Sequence, residues 1–336
     1  MANSIIFEEK NKTGIIILNR PEVLNALNLE MAESFLEKID NWKKNKKIER
    51  ILIKGNGKAF CAGGDIKAMY LSSKINNLKN KFLNKEYILN YKIDQFSKPY
   101  LSIWNGIVMG GGVGLSIYGN IRIATINTKF AMPETSIGFF PDVGGSFFLS
   151  KLPNNIGLFL ALSGKVIYAK ELIYLGLATH FVNIKNLNKN IKNYVDSGTI
   201  PISDKIPQEK SEVLENLNFI EENFNGSVAQ IIKNLNNSNS EFGKGIYKLL
   251  LKKCPMSLLV THELLNKAKN LSLKQCLEME YQLSQKIIYR QDFNNGVKSV
   301  LIEKNNNPRW NPSKLNDIDI EEINFLFKSH IKPLNL

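Results

Sequence analysis

Met109-Gly110-Gly111-Gly112-Val113-Gly114 follows the apolar run Tyr100-Leu101-Ser102-Ile103-Trp104 after a turn at Asn105-Gly106. A short apolar run closed by Asn-Gly reads as a buried strand. The glycines after it are not the dinucleotide fingerprint, because Leu115 stands where its final glycine belongs. They are not a P-loop either, since no Gly-Lys-Ser/Thr follows. What they can do is bring backbone N–H groups to a ligand at the start of a helix through 113–118, where the peptide dipoles favour negative charge. Close packing of that helix is the competing reading.

Further strands flank this segment. Gly14-Ile15-Ile16-Ile17-Leu18 is an apolar, β-branched run ended by Asn19-Arg20-Pro21, and Ile51-Leu52-Ile53 closes on Gly55-Asn56-Gly57. Ile121-Arg122-Ile123-Ala124 is followed after a turn by Lys129-Phe130-Ala131. Asn28 can cap a helix from about Leu29, with Met31, Phe35 and Ile39 on one face. Strands separated by helices predict an α/β core with crossover connections. From about residue 187 the character changes: 209–224 and 259–290 look helical, with Asn-rich joints at 234–240. The expected division is a catalytic core over 1–186 and a mainly helical part over 187–336.

Two other segments carry candidate chemistry. Lys58-Ala59-Phe60-Cys61-Ala62-Gly63-Gly64-Asp65 packs small residues before a possible helix cap at Asp65. Such a segment lets a backbone approach a ligand closely, or is simply a tight strand-to-helix turn. Two backbone N–H groups, one from each glycine segment, would make an oxyanion hole for a thioester carbonyl. The third segment runs from Met132-Pro133-Glu134 to Phe140-Pro141-Asp142-Val143-Gly144-Gly145. Apolar surroundings raise a carboxyl pKa, so Glu134 and Asp142 can serve as acid, base or nucleophile near neutrality. The competing readings are an exposed turn residue for Glu134 and, for Asp142, an N-cap of a helix through Phe147–Lys151.

The chain of 336 residues is 43% hydrophobic and 22% charged, an ordinary balance for a protein with a sizeable core. Mean hydropathy is −0.17, and no apolar run reaches the eighteen or so residues of a membrane span, so no membrane partner is expected. Cys61, Cys254 and Cys276 are far apart and His180, His262 and His330 are isolated. Neither a disulfide framework nor a metal site is expected from them. Net charge is +13, which raises nucleic acid as a partner. The lysines, however, are dispersed among asparagines, as in Asn41-Trp42-Lys43-Lys44-Asn45-Lys46-Lys47, a pattern of solvated helix faces. No nucleic-acid partner is expected, and a positive surface suits an anionic, phosphate-bearing ligand. The start of the sequence shows no targeting pattern, so a cytoplasmic protein is expected, with a mature mitochondrial form as the alternative.

In this order and spacing the segments resemble the crotonase (enoyl-CoA hydratase/isomerase) superfamily, over about residues 5 to 316. The resemblance is carried by Asn19-Arg20-Pro21 with Asn25-Ala26-Leu27, by Phe60–Ile66, by Met109–Ser116, and by Met132–Thr135 with Phe140–Gly145. Asp292-Phe293-Asn294-Asn295-Gly296-Val297 and Pro308-Arg309-Trp310-Asn311-Pro312 are similar to its hydrolase branch. The resemblance implies a crotonase-like (ClpP/crotonase) spiral of ββα units with a mainly helical C-terminal part, not an open doubly wound sheet. It implies hydrolysis of a 3-hydroxyacyl-CoA thioester, as in valine breakdown, with CoA as part of the substrate and no separate cofactor. A homo-oligomer is implied as well.

The site residues follow from the same resemblance. It gives the backbone N–H groups of Gly64 and Gly111 as oxyanion donors, Glu134 as the catalytic carboxylate and Asp142 as the second acid of the acyl pocket. Glu86 aligns with a further substrate-contacting glutamate, although its local sequence reads equally as a solvated helix face. The loop Ala62-Gly63-Gly64-Asp65-Ile66 is implied to hold the adenine end of CoA. A hydratase uses a second glutamate shortly after the triple glycine, and here that position is Gly114. A glycine cannot orient or protonate water, so hydrolysis is expected over hydration. A hydratase or isomerase, and a CoA-binding protein without turnover, are the rival functions.

Overall fold

Ile5–Lys10 (β1) turns back on Thr13–Leu18 (β2) through Asn11 and Lys12, both at positive φ (47° and 66°). Two left-handed central residues make the hairpin turn whose twist matches that of the flanking strands. Five more segments of the first half are extended: Arg50–Gly55 (β3), Ala59–Cys61 (β4), Tyr100–Trp104 (β5), Ile107–Met109 (β6) and Ile121–Ala124 (β7). Lys129–Ala131 (β8) and His180–Phe181 (β9) complete the set among the described residues. The computed structural model describes residues 3–72, 77–208 and 210–336.

From β3 onward, successive strands alternate between two sheets. One has the order β1-β2-β3-β5-β7-β9 and the other β4-β6-β8. From β2 onward the larger sheet is parallel. From β3 onward each step thus sends one strand to each sheet before the chain crosses over, which is the expected spiral of ββα turns. Apolar side chains on both sides of each strand explain the near-continuous Ile/Leu runs.

The described residues pack into two compact units, each built from segments distant in sequence. The first comprises Met1–Asp65, Ile88–Phe130 and Val166–Ser211, and the second Ile66–Tyr87, Ala131–Lys165 and Glu212–Leu336. These units do not follow a single boundary near 187. In the first, the helix Ile184–Ser197 lays Leu187, Tyr194 and Val195 on the sheet residues Ile15, Leu52, Leu101, Ile103, Ile121 and Ile123. Its high Asn and Lys content marks only its solvent face, so composition alone placed most of it with the later helices. The helix Leu29–Lys44 forms as read: Asn28 accepts from the Met31 N–H at 2.9 Å, and Met31, Phe35 and Ile39 are buried together with Trp42.

The second unit is mainly helical. The expected helix over 209–224 is two short ones, Glu212–Glu215 and Leu217–Asn223, and Glu209 lies outside the described residues. The segment 259–290 is likewise split, into Pro255–Ala268 and Leu273–Ile287, because Ser272 and Gln275 form a capping box that starts a new helix. Ser240, in the Asn-rich joint, caps Glu241–Leu250. Phe159 packs against Phe224 and Phe242, with centroids 5.2 and 6.0 Å away.

Candidate active site

The glycine segments come together in the first unit. Beyond β4 the chain runs beside Leu27: the Leu27 N–H donates to Gly63 O (2.8 Å) and the Asp65 N–H to Leu27 O (2.7 Å). The Gly64 N–H is not part of that ladder, and the Ala62 N–H donates to Leu24 O at 3.0 Å. Asn25, fully buried at φ 58°, accepts from the Arg20 N–H and donates to the carbonyls of Asn56 and Ala59, each at 2.8 Å. Arg20 bonds Asp65 (2.9 Å) and the Ala26 carbonyl (2.7 Å), so Asn19–Leu27 works as a clamp on the Ala62–Asp65 loop.

Gly63 sits at φ 111°, and a Cβ there would lie 3.3 Å from Met109 O and 3.6 Å from Gly111 N. The two glycine segments are therefore in backbone contact. The helix after β6 starts earlier and is shorter than 113–118: it spans Gly111–Gly114, with Gly110 as its N-cap. That makes Gly111 the first helical residue, whose N–H has no partner inside the helix. A Cβ on Gly112 would lie 2.4 Å from Cys61 O, so the close approach requires glycine there.

The carboxylates come together in the second unit. Glu134 begins the short 3-10 turn Glu134–Ile137, which ends on Gly138 at φ 72°. It is 7% exposed, Asp142 6% and Glu86 2%, so neither the exposed turn nor the solvated helix face describes them. Asp142 is not the side-chain cap of the next helix, which is Gly145–Leu149 with Gly144 as its N-cap. Instead, Asp142 Oδ2 accepts from Tyr87 Oη at 2.7 Å. One oxygen each of Glu86 and Glu134 is buried with no hydrogen-bond partner. A buried, unpaired carboxylate oxygen is costly, and such groups cluster where chemistry requires them.

Burial sets the protonation of this group. It pushes the Asp142 carboxyl up to about 7, against the opposing hydrogen bond from Tyr87. Burial, then the neighbouring Asp142 charge, push Glu134 well above the usual carboxylate range, while Lys253 opposes this. Glu86 is pushed up by burial and by the charges of Asp142 and Glu134. Lys253 is itself buried and held down to about 8 by desolvation, and its ammonium donates to Ser136 Oγ at 2.6 Å. Such a group exchanges protons near neutrality.

Tyr87, Lys253 and Glu280 were not singled out from sequence. Tyr87 directly follows Glu86, and its burial could be read only from the helix's inward face. Lys253 sits in Lys252-Lys253-Cys254, one of three Lys-Lys pairs in a lysine-rich chain, the others being 43–44 and 46–47. Glu280 lies on Leu273–Ile287, about 140 residues from the loop it touches, and no local pattern marks it.

The enoyl-CoA hydratase/isomerase family profile matches residues 13–327. The chain is 41% identical over 343 residues to a protein of Danio rerio named mitochondrial 3-hydroxyisobutyryl-CoA hydrolase, spanning 97% of this chain and 90% of that protein. Proteins of the same name from Dictyostelium discoideum and Homo sapiens are 42% and 38% identical, each over 98% of this chain and over 92% and 89% of their own. Among solved structures, a carnitinyl-CoA dehydratase from Mycobacterium thermoresistibile superposes with a TM-score of 0.92 at 31% identity, over 99% of both chains. An enoyl-CoA hydratase from Rhodobacter sphaeroides gives 0.92 at 28% identity, over 97% of this chain and 98% of its own.

Proposed function

The chain belongs to the enoyl-CoA hydratase/isomerase family, and from that premise we propose that it is an acyl-CoA thioester hydrolase acting on 3-hydroxyisobutyryl-CoA. The observation that carries this reading is the buried carboxyl group of Glu134, with an unpaired oxygen beside Asp142 and Glu86. Near-full-length similarity to hydrolases supports the reaction class. The solved hydratase and dehydratase structures share the fold, but Gly114 offers no side chain for the second acid that hydration uses.

In this mechanism the Gly64 and Gly111 N–H groups polarise the thioester carbonyl, a contribution of roughly 3–4 kcal/mol per donor in comparable oxyanion holes. Glu134 acts in its ionised form, which the Lys253 charge favours. It either attacks the carbonyl carbon, giving a mixed anhydride and releasing CoA thiolate, or removes a proton from water that attacks directly. Asp142 receives the substrate hydroxyl and delivers a proton toward the leaving thiolate, and Glu86 contacts the acyl group. The Ala62–Ile66 backbone holds the adenine end of CoA. No separate cofactor is used. Valine breakdown is the process this reading implies. The word mitochondrial in the names of its relatives supports a mitochondrial location over a cytoplasmic one, and a homo-oligomer is the expected assembly.

The test is thiol release from (S)-3-hydroxyisobutyryl-CoA by wild type and Glu134→Gln, with crotonyl-CoA as the competing substrate. Release is expected to fall by roughly 10²–10⁴-fold in the variant. Hydration of crotonyl-CoA without thiol release would overturn the reading. Single-turnover hydrolysis in oxygen-18 water separates the two routes, since label enters the Glu134 side chain only through the anhydride.

A further inference from the structure

Glu280 is a fully buried acid on the helix Leu273–Ile287 that no part of the mechanism above uses. Among the described residues it has no ion pair with Lys or Arg. Its oxygens accept from the Gly144 N–H (2.7 Å), the Ser146 N–H (2.9 Å) and the Ser146 hydroxyl (2.6 Å). Three donors on one carboxylate offset much of the cost of burying it. They also supply from another helix the cap that Gly145–Leu149 lacks, since Gly144 has no side chain to provide one.

The segment so held is strained. Val143 sits at φ 52° and Gly144 at φ 79°, and a β-branched residue in the left-handed region is an outlier. Such a conformation persists only where the surroundings impose it. The residue just before it is Asp142, whose carbonyl accepts the Gly145 N–H at 2.7 Å and whose carboxylate accepts from Tyr87. Fixed at Tyr87 on one side and at Glu280 on the other, the loop leaves the Asp142 side chain little freedom.

We infer that Glu280 is a positioning residue: by pinning Gly144 and Ser146 it sets the placement of the Asp142 carboxyl and, through its charge, the protonation of the acidic group. The inference rests on the proposed hydrolase reading for the role of Asp142. The titratable groups in electrostatic contact with Glu280 are Asp142, Glu134, Tyr87 and Cys276. Burial holds Glu280 itself up to about 8, so its charge varies over the pH range in which Asp142 titrates.

The test compares wild type, Glu280→Gln, Glu280→Asp and Ser146→Ala as full-length proteins. Glu280→Gln replaces one acceptor by an amide that faces a donor and removes the negative charge. Its kcat on 3-hydroxyisobutyryl-CoA is expected to fall roughly 10- to 100-fold, with KM moved far less. The basic limb of its pH–rate profile, set by loss of the Asp142 proton, is expected to move to lower pH, because near and above pH 8, where wild-type Glu280 is ionised, a negative neighbour of Asp142 is gone. Glu280→Asp should recover part of kcat and restore the basic limb. A folded Glu280→Gln protein with wild-type kcat and an unmoved basic limb would overturn the inference. If that variant does not fold, Ser146→Ala, which deletes one bond and keeps the carboxylate, decides: an unchanged kcat rejects the inference and a several-fold loss supports it. A thermal-stability cycle of Asp142→Asn with Glu280→Gln at pH 8 needs no substrate. Non-additivity there supports the coupling and additivity rejects it, whereas absence of thiol release by wild type counts only against the hydrolase reading.

Discussion

Asp142→Asn should make the protein more stable at neutral pH while it disables the enzyme. The change is nearly isosteric, and the amide oxygen can still accept from Tyr87. What it removes is a carboxyl that the fold holds at about 7 against an ordinary 3.8. A raised carboxyl means that the folded state binds more protons than the unfolded state between those values. Wild-type stability therefore falls as pH rises through that window, and is least above about pH 7. The two values lie about three pH units apart, and at ~1.36 kcal/mol per unit the whole loss is ~4 kcal/mol. Of this, roughly 3 kcal/mol accrues above pH 5. Glu86 shares the same buried group, so these figures are upper bounds for one site. The neutral variant escapes the loss. Thermal unfolding of both proteins from pH 5 to pH 8 should show the Tm of the variant rising against wild type by several degrees, given the roughly 2–4 °C per kcal/mol of domains of 150–250 residues. Thiol release should drop about 10²-fold over the same range. A Tm difference that stays flat between pH 5 and pH 8 would refute the reasoning, because it would mean that Asp142 does not carry a raised pKa.

Lys253→Met removes the positive charge that favours ionised Glu134, so the acid limb of kcat/KM should move to higher pH and neutral activity should fall roughly tenfold. A pH–rate profile that superposes on wild type would show that the charge does not act on Glu134. Asn25→Ala leaves the buried Ala59 and neighbouring Asn56 carbonyls without their donor and should cost on the order of 2–4 kcal/mol in urea unfolding. Gly112→Ala drives a methyl to within 2.4 Å of Cys61 O, which should cost roughly 1–3 kcal/mol and lower kcat by moving Gly111, read by unfolding and thiol release together.

The local elements were largely legible in the sequence. Asn28 and the Met31, Phe35, Ile39 spacing marked the start and the buried face of the first long helix, and the apolar runs at 100–104 and 121–124 are the strands observed. Such signals come from neighbours along the chain: a cap, a period of 3.6, a glycine where a side chain would collide. The failures lie where neighbours are not enough. The helix after the triple glycine was expected from 113, yet it starts at Gly111, because the carbonyl of Gly110, a glycine at φ 48°, already accepts from the Val113 and Gly114 N–H groups. Exposed or capping roles for Glu134, Asp142 and Glu86 were all open on local grounds, and burial by residues far along the chain removed them.

By itself the sequence determined the strands, the capped helices and the glycine positions at which a backbone must come close, since these depend on contacts within a few residues. It also carried the order of motifs by which the family is recognised. The tertiary structure alone decided that Glu86, Tyr87, Glu134, Asp142, Lys253 and Glu280 share one buried environment. Carboxyl protonation depends on how much water and how many charges surround each group, and these are supplied by segments up to about 190 residues apart. No residue-by-residue pattern encodes a desolvation that exists only once those segments have packed.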